Sequence, residues 1–333
     1  MDAHSLPVIF IGLMGLAILI YAILDGYDLG VGILLPLGNK DEDARDLMIA
    51  SIGPFWDANE TWLVLAVGLM LIAFPAAHSL ILFELYLPAT AMLMGLIIRG
   101  VAFDFRAKVA VNLKHLWDHA FRIGSLLTSL AQGYMLGQYV TGFSSTPGSL
   151  AFSILSALGV SAAYAYIGAA WLVMKTENTL QRRAKNWALW AGRVSFMGVV
   201  SVSFVNLQLN PDVLQRWFEF PLVMFILLIP ALCFSAFVAN ELLLRQLPRP
   251  NDTLCWLPAL VVALIFALCF SGLAFSFFPY IVPGQLTIWQ AASAPESLQF
   301  ILVGALIVIP FILLYTLFSY RVFRGKASEL QYY

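Results

Sequence analysis

Nine long apolar segments make up most of this 333-residue sequence, separated by short breaks that are polar or contain glycine and proline. A helix needs about 20 residues to cross the roughly 30 Å hydrocarbon core of a membrane. Backbone polar groups inside lipid have no water to bind, so segments of this length are expected to be helical. The sequence therefore predicts nine transmembrane helices, near residues 6–35, 52–74, 79–102, 119–141, 151–174, 185–206, 220–243, 254–279 and 298–322.

The composition predicts an all-α integral membrane protein with a single transmembrane domain over residues 1–333. Hydrophobic residues account for 61% of the chain and charged residues for 11%, a balance that a water-soluble domain of this size would not tolerate. The breaks between segments are too short for a separate soluble domain. The net charge of −1 and the lack of a basic arm argue against nucleic acid as a partner and leave the lipid bilayer as the surroundings.

Positive charges are concentrated on one side of this predicted topology. All of the 18 Lys and Arg residues except Arg216 fall on the side where the odd-numbered spans end. Cytoplasmic loops of membrane proteins carry an excess of Lys and Arg. We therefore expect the amino terminus outside the cell and the carboxyl terminus in the cytoplasm.

Two aspartates interrupt the first predicted span, in the sequence DGYDLGVG at residues 25–32. Asp25 and Asp28 are three positions apart, so a helix places them on one face. Gly26 and Gly30 form a small-residue stripe that permits a neighbouring helix to approach closely. Carboxylates are costly within a membrane span, and where they occur they often mark ion or proton pathways.

The second predicted span opens with GPFWDANETW at residues 53–62, which adds Asp57 and Glu60 on one helix face. All four acids lie toward the predicted cytoplasmic side. Burial and a like-charged neighbour let a carboxyl group exchange protons near neutral pH, so one interpretation is a proton path from the cytoplasm. The other is that the acids lie at the membrane boundary, in water or paired with cations. The candidate cations are Lys40, Arg45 and Arg99.

The third predicted span ends in RGVAFDFR at residues 99–106, which contains three charged residues, Arg99, Asp104 and Arg106. These residues could form salt bridges with the acids of the first two spans. They could equally anchor the span at the cytoplasmic surface. The sequence alone leaves both interpretations open.

Ligands for a cofactor inside the membrane are scarce. Haem iron usually needs His or Met ligands within the spans, and the four histidines all lie outside the middle of a predicted span: His4, His78, His115 and His119. The spacing of His115 and His119 could hold a metal, but it lacks an acidic motif between them. The three cysteines lack a Cys-x-x-Cys spacing and are expected to be packing residues: Cys233, Cys255 and Cys269. We therefore expect no metal or haem bound by this chain alone.

These motifs together resemble subunit II of cytochrome bd-type ubiquinol oxidases. Blocks near the C terminus continue the similarity in the same order, at residues 278–283, 286–291 and 310–316. The resemblance spans essentially the whole chain and is weakest in its middle third. Tyr27 and the Asn59-Glu60 pair resemble the cyanide-insensitive branch of this family.

The resemblance implies two four-helix bundles plus a peripheral helix, in a bacterial inner membrane, packed against a similarly folded subunit I as a heterodimer. In this family subunit I carries two b-type haems and haem d. It oxidises quinol at the outer face and reduces oxygen to water with protons from the cytoplasm, while subunit II binds no haem. The resemblance leaves open a structural quinone in subunit II and a small single-helix accessory subunit.

Family positions assigned to a proton channel match Asp28 and Asp57. Asp25 and Glu60 are weaker matches, because family members differ at the position of Glu60. Trp62 matches a position near an oxygen route, where it would shape a dry apolar path, and core packing is an equally good account of it.

A proton-coupled transporter or channel is the main alternative, since it would also use carboxylates within the membrane. Transporters usually contain repeated halves with broken helices at corresponding positions, and no convincing internal repeat is evident in the sequence. A third interpretation is a purely structural scaffold, in which substitution of the aspartates would have no effect on turnover.

Overall fold

The computed structural model describes residues 4–37, 41–110, 113–221, 223–249 and 252–327. Most of these residues are helical. The helices are α1 (Leu6–Leu34), α2 (Glu42–Ile52), α3 (Trp56–Ala73), α4 (Pro75–Arg106), α5 (Lys114–Val140), α6 (Pro147–Lys175), α7 (Asn178–Leu209), α8 (Pro211–Phe218), α9 (Val223–Ile226), α10 (Leu228–Gln246), α11 (Leu257–Phe277), α12 (Ile288–Ala291) and α13 (Pro295–Val322). A short antiparallel hairpin of β1 (Tyr280–Val282) and β2 (Leu286–Thr287) follows α11.

The prediction of an all-α membrane protein is confirmed. Among the described residues, eight helical segments are long and apolar enough to cross a membrane, and they match eight of the nine predicted spans. The predicted span at 119–141 is the 27-residue helix α5, which is more polar than the others. Its Ser125, Thr128 and Ser129 side chains are fully buried. Because α5 packs between α4 and α6, its polar groups find partners within the protein.

The helices pack as two groups of four. In the first group α1 packs on α3 and α5, and α4 packs on α3 and α5; in the second, α6 packs on α7 and α11, and α10 on the same two helices. Contacts of α6 with α1 and α5 join the groups, while α13 has few contacts and lies at the periphery. This arrangement agrees with the bundles that the resemblance implies.

The contact between α1 and α6 depends on small residues. A Cβ atom on Gly30 would lie 1.8 Å from the backbone oxygen of Tyr164, and one on Gly26 would lie 2.8 Å from the Tyr164 ring. Gly168 of α6 faces the Gly30 backbone at the same crossing. The predicted close approach along the Gly26 and Gly30 stripe is therefore present.

One end of the molecule, here called the basic end, holds the last residues of α1, α4, α6 and α13 and the first residues of α5. Ion pairs tie α2, α4 and α5 together there. The Asp118 carboxylate forms ion pairs with Arg45 at 2.9 Å and with Arg106 at 2.5 Å. The Asp46 carboxylate forms ion pairs with Arg106 at 2.6 Å and with Lys114 at 3.2 Å. The basic end is the one predicted to face the cytoplasm, and that orientation stays a prediction.

The segment after α13 is held against the basic end. Lys175 Nζ donates to the Phe323 carbonyl at 2.7 Å, and Lys326 Nζ pairs with Asp252 Oδ2 at 2.5 Å. Partial burial disfavours the Asp252 carboxylate, but hydrogen bonds from Lys326 and Gln181 and the charge of Lys326 outweigh it and hold the pKa of Asp252 below its usual value. These contacts fasten the chain after α13 to the end of α6 and to the loop before α11.

Candidate functional site

A buried cluster of charged side chains lies where α1, α3 and α4 meet. The Arg99 guanidinium of α4 is fully buried and lies 2.7 Å from Asp25 Oδ1 of α1, measured from Nη1. Its Nη2 contacts Glu60 Oε1 of α3. Glu60 keeps 26% of its side chain exposed, whereas Asp25 has none. Arg99 therefore links an acid in the interior to an acid that reaches the surface of the chain.

Asp28 lies one helical turn from Asp25 and is also fully buried. The Asn59 side-chain nitrogen donates to Asp28 Oδ2 at 2.8 Å and to the Tyr27 hydroxyl at 2.9 Å. The second oxygen, Oδ1, has no hydrogen-bond partner among the described residues. The Asp28 carboxyl thus has one held oxygen and one that is free to accept a proton.

The charges in this cluster do not balance. Three carboxyl groups, those of Asp25, Asp28 and Glu60, influence one another and share a single guanidinium, Arg99. Isolated charges away from water are strongly disfavoured, and a cation compensates fully for only one of these acids. The arrangement suits groups that take up and release protons.

The local sequence explains how these groups meet. The spacing of Asp25 and Asp28 places both on the side of α1 that faces the interior of the first bundle. Asn59 and Glu60 lie in the first turn and a half of α3. Arg99 precedes the end of α4 by about two turns, which brings its long side chain back to the level of the acids.

Asp57 lies at the exposed edge of this cluster rather than inside it. Asp57 lies in the first turn of α3 with its side chain exposed. Its charge still acts on Glu60, as expected for residues on one face, and Glu60 in turn contacts Arg99. The alternative that Asp25 and Asp28 lie in water at the boundary is wrong, because both are fully buried. Pairing of Asp25 with Arg99, the other part of that alternative, is present.

The other two cations that the sequence offered as partners of these acids are Arg45 and Lys40. Arg45 pairs with Asp118 at the basic end. Lys40 lies outside the described residues.

The charged residues at the end of α4 have three different environments. Arg99 is buried within the bundle, so the interpretation of Arg99 as a surface anchor is wrong. Arg106 is nearly buried and forms the ion pairs with Asp46 and Asp118. Asp104 is exposed, and within the described residues it forms no ion pair.

Trp62 is 1% exposed and packs with Ala17, Tyr21 and Ala66 of α1 and α3. Its indole nitrogen has no hydrogen-bond partner in the described part of the chain. The surroundings of Trp62 are therefore apolar and dry, which fits both core packing and the wall of a route for an apolar gas.

Sequence analysis missed the uncharged polar residues beside the acids. Gln132 of α5 donates to the Tyr21 hydroxyl at 2.6 Å and accepts from the Tyr164 hydroxyl at 2.7 Å. The hydroxyls of Tyr27 and Tyr320 lie 2.5 Å apart. A glutamine in a long apolar segment was a usable signal. Nothing in the sequence indicated that Tyr320 would meet Tyr27, which lies 293 positions earlier.

Candidate metal ligands are few. Within the described ranges no three or more His, Cys, Asp or Glu side chains form a group that could hold a metal ion. The His115 and His119 rings lie 6.5 Å apart on the exposed start of α5. Cys233 and Cys269 bring their sulfur atoms to 3.8 Å between α10 and α11 without a disulfide.

Comparison with known proteins finds relatives that share one description, subunit 2 of a cytochrome bd-type ubiquinol oxidase. A cytochrome bd ubiquinol oxidase subunit 2 of Bacillus subtilis (strain 168) is 29% identical over 92% of each chain. A cytochrome bd-I ubiquinol oxidase subunit 2 of Escherichia coli (strain K12) is 26% identical, with 98% of this chain and 97% of that protein covered.

A chain of the bd oxidase structure from Geobacillus thermodenitrificans shares the fold, with a TM-score of 0.60 and 9% identity over 97% of this chain and 100% of that chain. At that identity the likeness concerns the fold alone. The sequence profile described as "Cytochrome bd terminal oxidase subunit II" matches residues 6–323, which is nearly the whole chain. This multi-pass membrane protein therefore belongs to the family of cytochrome bd terminal oxidase subunit II.

Proposed function

We propose that this chain is the haem-free subunit of a quinol-oxidising terminal oxidase, and that it routes cytoplasmic protons toward the site of oxygen reduction on its partner. The names of its relatives supply the reaction class, since they are ubiquinol oxidase subunits. The buried cluster of Asp25, Asp28, Glu60 and Arg99 carries the proton-routing part of the proposal.

Reduction of oxygen to water takes up one proton for each electron. A subunit without redox centres can contribute by delivering those protons through the membrane. Carboxyl groups within a membrane are costly and rarely present without such a role. Asp28 has a buried oxygen without a partner, and Glu60 of the same cluster reaches the surface. The cluster therefore has an interior proton acceptor, Asp28, and a partly exposed carboxyl group, Glu60, through which a proton can leave the chain.

The haems belong to the partner in this proposal. Haem iron in a membrane bundle is held by His or Met side chains within the spans. His78 lies in the first turn of α4, and His115 and His119 lie in the first two turns of α5. The resemblance to the oxidase family assigns the two b-type haems and haem d to subunit I, and a structural quinone in this chain stays a prediction with no residue attached to it.

The partner is subunit I, held through apolar helix faces. The accessory subunit stays a prediction. Asp57, exposed in the first turn of α3, is proposed to hand protons to the partner, and Trp62 to form one wall of an apolar oxygen route. Membership of the oxidase family leaves the transporter alternative without support.

Substitution of Asp28 by Asn tests the proton-routing role. Asn keeps the size of the side chain and its contact with Asn59 but cannot bind and release a proton, so we expect oxygen consumption by the purified complex to fall by at least about tenfold. The matched control is Asp43→Asn, an exposed acid in the first turn of α2 at the same end. Reduced-minus-oxidised spectra of both variants report whether haem d still co-purifies. Normal turnover of Asp28→Asn with full haem content would refute proton routing through this residue.

A further inference from the structure

The Asn59 side chain of α3 is buried between α1 and α13, where it is 1% exposed. Its nitrogen lies 2.8 Å from Asp28 Oδ2, 2.9 Å from the Tyr27 hydroxyl and 3.4 Å from the Leu24 carbonyl oxygen. A backbone carbonyl oxygen can only accept a hydrogen bond, so the amide atom that faces it must be the nitrogen. These contacts therefore fix the orientation of the amide, with its donor toward Asp28.

Two tyrosine hydroxyls close a ring of hydrogen bonds with this amide. The Asn59 nitrogen donates to the Tyr27 hydroxyl, which lies 2.5 Å from the Tyr320 hydroxyl, and Tyr320 donates to the Asn59 side-chain oxygen at 3.4 Å. Because the Tyr320 hydrogen points to Asn59, the Tyr27 hydroxyl donates to Tyr320. Each hydroxyl thus uses its one hydrogen within the ring, which holds the amide in place and leaves Asp28 to accept from Asn59.

The Asp28 carboxyl receives its side-chain hydrogen bond from Asn59. Oδ2 accepts from the amide, while Oδ1 has no hydrogen-bond partner within the described part of the chain. A hydrogen bond from N–H to a charged carboxylate is stronger than one between neutral groups, and it favours the charged form of the acid. Asn59 is therefore placed to determine how readily Asp28 binds and releases a proton.

Groups that carry charge or can titrate surround Asp28 on several helices. They are Asp25 and Tyr27 of α1, Glu60 of α3, Arg99 of α4 and Tyr320 of α13. The helices α5, α6 and α11 present uncharged side chains to the same stretch of α1, namely Ser125, Tyr164 and Ala263. Substitution of Asn59 leaves all of these groups in place and removes an uncharged donor, so a changed pH dependence can be traced to the lost hydrogen bond.

We infer that Asn59 is a positioning residue for proton transfer at Asp28. Its amide holds one carboxyl oxygen and tunes the proton affinity of the group, while the second oxygen stays free to receive the proton. Asn59 itself neither gains nor loses a proton. When Oδ1 takes up a proton, the bond from the amide to Oδ2 persists and weakens, because the acceptor has lost its charge. The inference rests on the proposed function and adds a residue that tunes its proton acceptor.

A packing role for Asn59 makes a different prediction from a tuning role. Asn59→Leu enlarges the side chain and Asn59→Ala shrinks it, and both remove the donor. Packing damage would lower turnover by one factor at every pH, whereas loss of the donor should move the pH profile of turnover. We expect both variants to move it toward higher pH by about one unit. The control is Asn186→Leu, an exposed asparagine of α7, which should keep the wild-type profile.

The experiment measures oxygen consumption by the purified oxidase complex between pH 5 and 9, with haem content checked by reduced-minus-oxidised spectra. Unshifted profiles in both Asn59 variants, with Asp28→Asn impaired, would overturn the inference and leave the proposed function standing. Wild-type turnover in Asp28→Asn would overturn both.

A double variant shows whether Asn59 acts through Asp28. In the Asp28→Asn background the carboxyl group is gone, so adding Asn59→Leu should leave the pH profile of the residual turnover where it was. Glu60 and Asp25 remain in both backgrounds and provide the internal comparison. An equal shift with and without the Asp28 carboxyl would mean that Asn59 acts on another acid, and the assignment to Asp28 would be wrong.

Discussion

Replacing Arg99 by Gln tests whether Arg99 stabilises the fold by compensating the charge of the buried acids beside it. Arg99 is fully buried, pairs with Asp25 at 2.7 Å and also contacts Glu60. Glutamine removes the charge while keeping a long polar side chain that can donate hydrogen bonds. The variant leaves Asp25 buried with no cation beside it, whereas Glu60 can turn toward its exposed side.

The size of the effect follows from this geometry. Breaking a buried ion pair by removing one partner typically costs about 3–5 kcal/mol, because the remaining charge stays desolvated. Arg99 has two acidic partners, so we expect a loss near the upper end, about 5 kcal/mol. Replacing Asp25 by Asn as well removes the stranded charge and leaves two amides that can bind each other. The double variant should therefore lose only about 1–2 kcal/mol, which is less than the single variant.

The assay is denaturation of the purified complex in mixed detergent micelles, followed by the loss of co-purifying haem absorbance. Wild type, Arg99→Gln and Arg99→Gln/Asp25→Asn are compared, with Arg182→Gln as an exposed control from the basic end. The control should change stability by less than about 0.5 kcal/mol. If the double variant proves less stable than Arg99→Gln, Arg99 does not act mainly by compensating Asp25, and the electrostatic reasoning fails.

Two further substitutions test packing and the C-terminal contact. Gly30→Ala should destabilise the chain by more than about 3 kcal/mol, because its Cβ would meet the Tyr164 backbone oxygen at 1.8 Å. Gly12→Ala should be tolerated, because a Cβ at Gly12 would have no atom within 4 Å. Equal yields of folded complex from the two variants would contradict this prediction. Asp252→Asn should speed hydrogen exchange in the segment after α13 at pH 7, because it removes the ion pair with Lys326. Since the pKa of Asp252 is lowered in the folded state, its contribution to stability is fully present above about pH 4 and is lost as the pH falls through the folded pKa. Below that pH the variant and the wild type should exchange at the same rate. A difference in exchange that persists there would refute the role of the Asp252–Lys326 ion pair.

Segment length and apolar composition were enough to predict the membrane helices, because the cost of unpaired backbone groups in lipid leaves few other structures. The close approach at Gly30 was also predictable from the spacing of small residues. The polarity of α5 was harder to interpret. A helix surrounded by other helices can carry Ser125 and Thr128 inside the protein, so hydropathy alone underestimates its ability to span the membrane.

The candidate site was only partly predictable. Helical spacing identified Asp25 and Asp28 as neighbours, because that relation is local. It also placed Asp57 beside Glu60, and the charge of Asp57 does act on Glu60. Only the position of α4 determines that Arg99 contacts Glu60 while Asp57 stays exposed. Tyr320 joins the site through the packing of α13, which depends on contacts across the whole chain and has no signature within a single segment.

A route for protons needs a way out of this chain as well as a way in. Asp28, the proposed proton acceptor, is buried and has no surface to offer a partner subunit. Glu60 shares Arg99 with Asp25 and is partly exposed, and Asp57 lies one turn away at the surface of α3. A proton that moves from Asp28 through the cluster to Glu60 would therefore leave along the start of α3. The partner should contact this turn, so a bulky substitution at Asp57 should impair proton transfer to the partner while Asp28 stays intact.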